Sequence, residues 1–169
     1  MDVTVTLRPT EPTDLDFVIG LERHADNKPF IGQWTREGHA AAIARPDREH
    51  WIISHACRSD PVGYLIAYNL VAAGYGVYVK RIVVADKSQG IGRAALQAFV
   101  ASAAHRLRTS CVWLTVFAEN ERGQRAYRAV GFTEPPLSAA RRAELCNAVG
   151  GFSDRSLVMA TRVEPALVA

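Results

Sequence analysis

Ile82-Val83-Val84-Ala85-Asp86-Lys87-Ser88-Gln89-Gly90-Ile91-Gly92-Arg93-Ala94 is the stretch that decides how the rest of the chain is understood. It begins as the end of an apolar strand, crosses a polar loop and enters a helix at two closely spaced glycines. From Gly90 to about Leu107, the residues Ile91, Ala95, Phe99, Ala103 and Leu107 recur at helical spacing, with Leu96 and Val100 beside them. Glycines let the loop turn tightly and bring bare amides close to a ligand. The first helical turn adds N–H groups without helical acceptors and the positive end of the helix dipole. Together these predict a seat for a phosphate or pyrophosphate, with Lys87 and Arg93 adding charge at its rim.

Working outward, Val77 to Val84 forms the strand that feeds this loop, and Cys111 to Phe117 is a continuous apolar strand of the kind buried on both faces. If those two strands share a sheet, the helix between them is a parallel crossover. Upstream, Val3, Val5 and Leu7 alternate with polar residues as a first strand. Thr13 is placed to cap a helix toward Glu22, and Thr35 opens a short Ala-rich helix that Pro46 closes. Trp51–Ser54 and Tyr64–Tyr68 flank Asp60-Pro61-Val62-Gly63 as a hairpin. Downstream, Asn120 and Gly131 bracket a short helix as N-cap and C′ residues. The tail has a Pro135-Pro136 break, an irregular middle and a last strand, Ser156–Ala160. The pattern predicts a mixed α/β sheet in one domain.

Two glycines alone leave three meanings open: a plain turn, an anion site, or a dinucleotide fingerprint, since Gly90, Gly92 and Ala95 fit G-x-G-x-x-A. Against the last, about five residues separate the strand from Gly90, and the segment follows hairpin strands instead of opening a βαβ unit.

Lys87-Ser88-Gln89-Gly90-Ile91-Gly92 resembles the signature of the GCN5-related N-acetyltransferase superfamily: Arg or Gln, two residues, Gly, any residue, then Gly or Ala. Lys87 departs at the first position but keeps the charge. A second element of the family, Asn-x-Arg, Tyr and Gly-Phe, is matched by Asn120-Glu121-Arg122, Tyr127 and Gly131-Phe132. The tail Gly151-Phe152-Ser153-Asp154 with Met159 is similar to the ending of ribosomal-protein-alanine acetyltransferases. The resemblance implies one N-acetyltransferase domain over residues 1–169. Its fold is an α/β (α+β) arrangement: a mixed, mostly antiparallel sheet of about six to seven strands, splayed at the centre and flanked by about four helices.

It also implies acetyl-CoA as cosubstrate, with no metal, and an acceptor amine on a small molecule or a protein N-terminus. In the family the amine attacks the thioester directly. The pantetheine arm then pairs with Ile82, Val83 and Val84, and Val84 N–H or a neighbour polarises the thioester oxygen. The pyrophosphate meets the amides of Gln89, Gly90, Ile91, Gly92, Arg93 and Ala94, beside Lys87 and Ser88. Asn120 and Arg122 border the CoA arm. Tyr127 is the expected general acid, because a phenol is protonated at neutral pH. Many relatives carry a Glu on the strand before the loop, whereas Val77-Tyr78-Val79-Lys80-Arg81 has none. Glu119 and a water relay are the substitutes for a base. A homodimer is among the assemblies the resemblance implies. The competing functions are an acyl-CoA-binding module without turnover and a dinucleotide-dependent oxidoreductase.

Several residues have plainer readings. His50 and His55 are expected to be structural, Phe30 and Trp34 to pack near an acceptor pocket, and Arg141 and Arg142 to be solvated. Cys111 is expected to be buried and inert. The net charge of +3 comes from scattered basic residues, which gives no nucleic-acid footprint. Three unspaced cysteines argue against disulfides or zinc and for a reducing cytoplasm. No stretch is long and apolar enough for a transmembrane helix, and Met1-Asp2-Val3-Thr4-Val5 lacks the features of a signal peptide.

Overall fold

The computed structural model describes residues 3–164, so the reading of Met1-Asp2 falls outside them. Among the described residues, six strands form one sheet in the order of the chain: β1 Val5–Pro9, β2 Arg48–His55, β3 Pro61–Leu70, β4 Gly76–Val84, β5 Cys111–Phe117 and β6 Ser156–Arg162. The helices are α1 Leu15–Arg23, α2 Arg36–Ile43, α3 Ile91–Arg106, α4 Glu121–Arg128 and α5 Ala139–Ala148. β1–β2 and β5–β6 pair antiparallel. β4 and β5 pair parallel, over Val77–Val79 against Val112–Leu114. A parallel pair needs a long crossover, and α3 supplies it. Among the described residues no helix is long and apolar enough to cross a membrane.

The chain groups into two compact units, Met1–Ala67 with Arg81–Phe99, and Tyr68–Lys80 with Val100–Ala169. In the first, Ile53, Val62, Ile91 and Ala95 make a buried cluster, and Ile82 and Val84 pack against it. Ile91 therefore anchors the start of α3, and burying such a side chain stabilises by about 1.5–3 kcal/mol. β3 and β4 approach closely here. A Cβ added to Gly63 would lie 2.4 Å from the Val83 carbonyl oxygen, so only glycine fits. In the second unit, Val112, Trp113, Leu114 and Val116 are all buried, which places both faces of β5 in the core.

The helix ends follow local chemistry. Thr35 Oγ1 accepts from Gly38 N at 3.2 Å to start α2, and Asn120 Oδ1 accepts from Gly123 N at 3.0 Å to start α4. Gly131, with φ of 98°, closes α4, and Phe132 N bonds back to the Tyr127 carbonyl. Two expectations change. Thr13 does not cap α1: Pro12–Asp14 forms a single 3-10 turn, in which the Asp14 carboxylate accepts from Glu11 N at 2.8 Å, and the helix begins at Leu15. The tail is also not irregular. It holds α5, a fifth helix beyond the four expected, capped by Ser138 Oγ at Arg141 N and followed by left-handed Gly150 and Gly151.

Candidate functional site

In the first unit, β4 hands the chain to the loop through a bond from Ala85 N to the Val62 carbonyl at 2.8 Å. Ser88 (φ 63°) and Gly90 (φ 78°) are both left-handed, and the residue between them is not. Such alternation turns successive amides toward one side, which is an anion-binding nest. Helical bonding begins with Ala94 N to the Gly90 carbonyl at 2.9 Å. The amides of Ile91, Gly92 and Arg93 thus lie in the first turn without helical acceptors. No acidic side chain occupies that turn.

Gly92 has no positive φ, and a Cβ built there would meet only Val84 methyls at 3.8–3.9 Å, an ordinary contact. Neither backbone strain nor packing calls for glycine. The site therefore suits a pyrophosphate lying over bare amides.

Lys87 departs from its expected place at the rim. Its Nζ turns inward, donating to the Val84 carbonyl and to Asn27 Oδ1, each at 2.5 Å. It staples the loop to the end of β4 and to the segment after α1. Asp86 pairs with Arg58. Arg93 is exposed.

The second unit holds Glu119, Asn120, Arg122 and Tyr127. The Asn120 side chain is taken up by its capping bond, and Arg122 is exposed. Tyr127 is half-buried beside Phe132, with ring centroids 6.4 Å apart. Burial, with a smaller push from Tyr78, moves its phenol up to about 12. It is therefore protonated at any physiological pH. Among the described residues, nothing accepts a hydrogen bond from its hydroxyl. Glu119 is exposed and bound by Arg155, whose Nε donates at 3.0 Å. That pairing holds its carboxyl below the usual range, which weakens it as a base.

A group the sequence did not single out lies in the first unit. Glu22, fully buried on α1, accepts from Arg81 Nη1 at 2.6 Å, from the Tyr64 hydroxyl at 2.7 Å and from Trp34 N at 2.9 Å. His39 Nε2 lies 3.4 Å from the same carboxylate, and His39 Nδ1 meets His50 Nε2 at 3.1 Å. His50 Nδ1 meets Thr10 Oγ1 at 2.8 Å. The row can run from Thr10, donating to His50, through His50, donating to His39, and it ends at His39 Nε2, which faces Glu22 without a hydrogen-bond partner among the described residues. Burial opposes the charge on Glu22, but its donors win and its carboxyl sits below the ordinary range. The signal for this group was Arg81, a lone guanidinium in an apolar strand, which needs a buried partner. Among the described residues no group of His, Cys, Asp and Glu is placed to hold a metal.

The remaining candidates fall out simply. Trp34 lies over the Arg81 guanidinium at 4.3 Å, and Phe30 is half-buried. His50 is structural, as is His55, whose Nδ1 accepts from Cys57 N at 3.1 Å. Arg142 is not merely solvated: it donates to the Ser156 carbonyl at 2.8 Å and lies over the Phe152 ring. Cys111 is half-buried, and burial pushes its thiol up.

An open mixed sheet whose fourth strand runs through a left-handed glycine turn into a helix is the framework of an acetyltransferase. The chain belongs to the acetyltransferase (GNAT) family, whose model matches residues 21–132. No curated protein sequence matches it. Among solved structures, it is similar to the spermidine N-acetyltransferase from Vibrio cholerae in complex with CoA and spermine. The TM-score is 0.70 at 15% identity, over 94% of this chain and 95% of that one. An aminoglycoside acetyltransferase in complex with coenzyme A matches at 0.70 and 17%, over 94% and 95%. An acetyltransferase from Thermus thermophilus matches at 0.68 and 19%, over 95% and 97%. At these identities the likeness is one of fold.

Proposed function

We propose that residues 1–169 form one catalytic domain, an N-acetyltransferase that moves an acetyl group from acetyl-CoA to an amine. The observation that supports it best is the left-handed Ser88 and Gly90 turn leading to a bare Gly92, in a chain of the acetyltransferase family. The amides from Gln89 to Ala94 bind the pyrophosphate, with Arg93 at the rim and Ser88 shaping the turn. Lys87 acts by holding the loop in place, not by touching the phosphates. The backbone of Ile82, Val83 and Val84 pairs with the pantetheine arm, and Val84 N–H orients the thioester oxygen. Asn120 fixes the start of α4, and Arg122 lies beside the CoA arm.

Acetyl-CoA, when bound, supplies an activated acetyl thioester. Tyr127 donates its phenolic proton to the sulfur as the C–S bond breaks and the new C–N bond forms. The proton released by the amine returns through solvent, because Glu119 is held by Arg155. The acceptor is a primary amine on a small molecule or a protein N-terminus; spermidine and aminoglycosides are the acceptors named for two of the structural neighbours. Three free cysteines suit a reducing cytoplasm.

The test has two stages. Acetyl-CoA should raise the melting temperature and NAD should not. A panel of amines should then release free thiol from acetyl-CoA above the no-acceptor rate. Stabilisation by NAD alone would remove the acetyltransferase reading. Stabilisation by acetyl-CoA with no thiol release from any amine would favour an acyl-CoA-binding module, the reading kept open by the lack of an acid on β4.

A further inference from the structure

The second unit contains a groove of about 730 Å³ that the acetyltransferase reading does not use. Trp113, Val158 and Leu145 lie beneath it and are buried, so the apolar surface it offers is that of Pro135, Leu137 and Ala160. Arg108, Arg141 and Arg162 also line it, and among the described residues no Asp or Glu does. The charge is therefore one-sided within a concavity of mixed polarity.

The three arginines are not spent on neighbours to the same degree. Arg141 Nη1 donates to Glu144 Oε2 at 2.8 Å, while its guanidinium lies 4.8 Å from the Tyr75 ring centroid. Among the described residues, Arg108 and Arg162 have no acidic partner. Arg108 is also left-handed, with φ of 50°, a conformation in which Gly or Asn is the natural choice. The turn alone does not account for an arginine there. Arg162 stands directly across from Cys111 in the β5–β6 register. Arg162 and Arg141 both pull on the Cys111 thiol, against the rise caused by its burial. The Trp113 indole N–H donates to the Tyr75 carbonyl at 2.7 Å, which ties the turn before β4 to β5 at one end of the groove.

We propose that this groove binds a small organic carboxylate with an apolar body, its carboxylate held by Arg162 and Arg108 and its body lying against Pro135, Leu137 and Ala160. A guanidinium fork matches carboxylate and phosphate alike, and the apolar residues beside it add contact only for a ligand with an apolar body. A one-sided concavity, in place of an extended basic track, suits a small molecule better than a polymer. The site does not depend on the acetyl transfer proposed above, and its binding can be read without turnover.

The full chain is titrated calorimetrically with phenylacetate, with its neutral analogue phenylacetamide and with inorganic phosphate, each with and without saturating CoA. Phenylacetate should bind saturably at one site, at least tenfold tighter than either of the others, and equally well with CoA present. The doubly substituted R108Q/R162Q chain should lose at least tenfold. Both side chains are exposed, so circular dichroism should show the fold unchanged. Failure of phenylacetate to saturate, equal binding of phenylacetamide, tighter binding of phosphate or indifference to the double substitution would each overturn the proposal. Displacement of phenylacetate by CoA would place it in the cosubstrate loop and overturn it as well.

Discussion

The Glu22 carboxylate and the Arg81 guanidinium meet at 2.6 Å, with side chains only 1% and 4% exposed. They come from α1 and β4, and the pair is closed by Tyr64, Trp34 and His39. Removing one ion strands the other without water. Glu22→Gln should therefore destabilise the protein by about 3–5 kcal/mol in urea denaturation. The double change Glu22→Leu with Arg81→Met should recover much of that loss. If Glu22→Gln cost under about 1 kcal/mol, the pair would not be the buried, dry one described.

Stability should also fall in mild acid. His50 is lowered from 6.5 to about 4, chiefly by burial and then by His39, with Arg81 acting the same way and Glu22 and Asp14 opposing. Above pH 6.5 both folded and unfolded chains leave it neutral. Below that, the unfolded chain takes up a proton that the folded chain refuses, so stability drops toward pH 4, by about 3 kcal/mol in all. Glu22, lowered in the fold, adds loss of the same sign beneath its ordinary value near 4.5. Unfolding midpoints from pH 7.5 to 4, compared with those of His50→Asn, check this: the slope between pH 6.5 and 5 should flatten in the variant.

Gly92→Glu should abolish stabilisation by acetyl-CoA while shifting the melting temperature of the free protein by only a few degrees. The first carbon added at Gly92 has room against Val84, so the fold tolerates it. A carboxylate over the bare amides repels a pyrophosphate. A variant still stabilised by acetyl-CoA would place the pyrophosphate elsewhere.

Tyr127→Phe should lower kcat by about 10²-fold or more and leave acetyl-CoA affinity within about threefold. Because its hydroxyl has no acceptor among the described residues, deleting it leaves no orphan and should barely change stability. Unaltered kcat in stopped-flow thiol release would dismiss Tyr127 as the acid.

Gly63→Ala should cost about 1–3 kcal/mol, since its methyl would sit 2.4 Å from the Val83 carbonyl oxygen and force β3 off β4. A neutral result in thermal denaturation would mean the two strands can part without penalty.

Local chemistry was legible and distant chemistry was not. β5 spans Cys111–Phe117 as its apolar run requires, and Asn120 and Gly131 end α4 as their residue types require. α5 was hidden because Leu145 is its one buried residue, too little to show a periodic stripe, although Ser138 and Gly150-Gly151 marked both its ends. The glycine turn was visible as an anion seat, but the direction of Lys87 was not: it depends on Asn27, 60 residues away. Glu22 and Arg81 are 59 residues apart, and no periodicity pairs them.

The segment joining α1 to α2 is fastened near both ends. Asn27 bonds to the Leu21 carbonyl and to Lys87, and Trp34 bonds to Glu22 while covering Arg81. Between these anchors, Lys28 and Gln33 are exposed. For anyone wishing to redirect the protein by laboratory evolution, Asn27 and Trp34 are the fixed posts. A library at Lys28 and Gln33 can vary freely without loosening either the cation–carboxylate core or the cosubstrate loop.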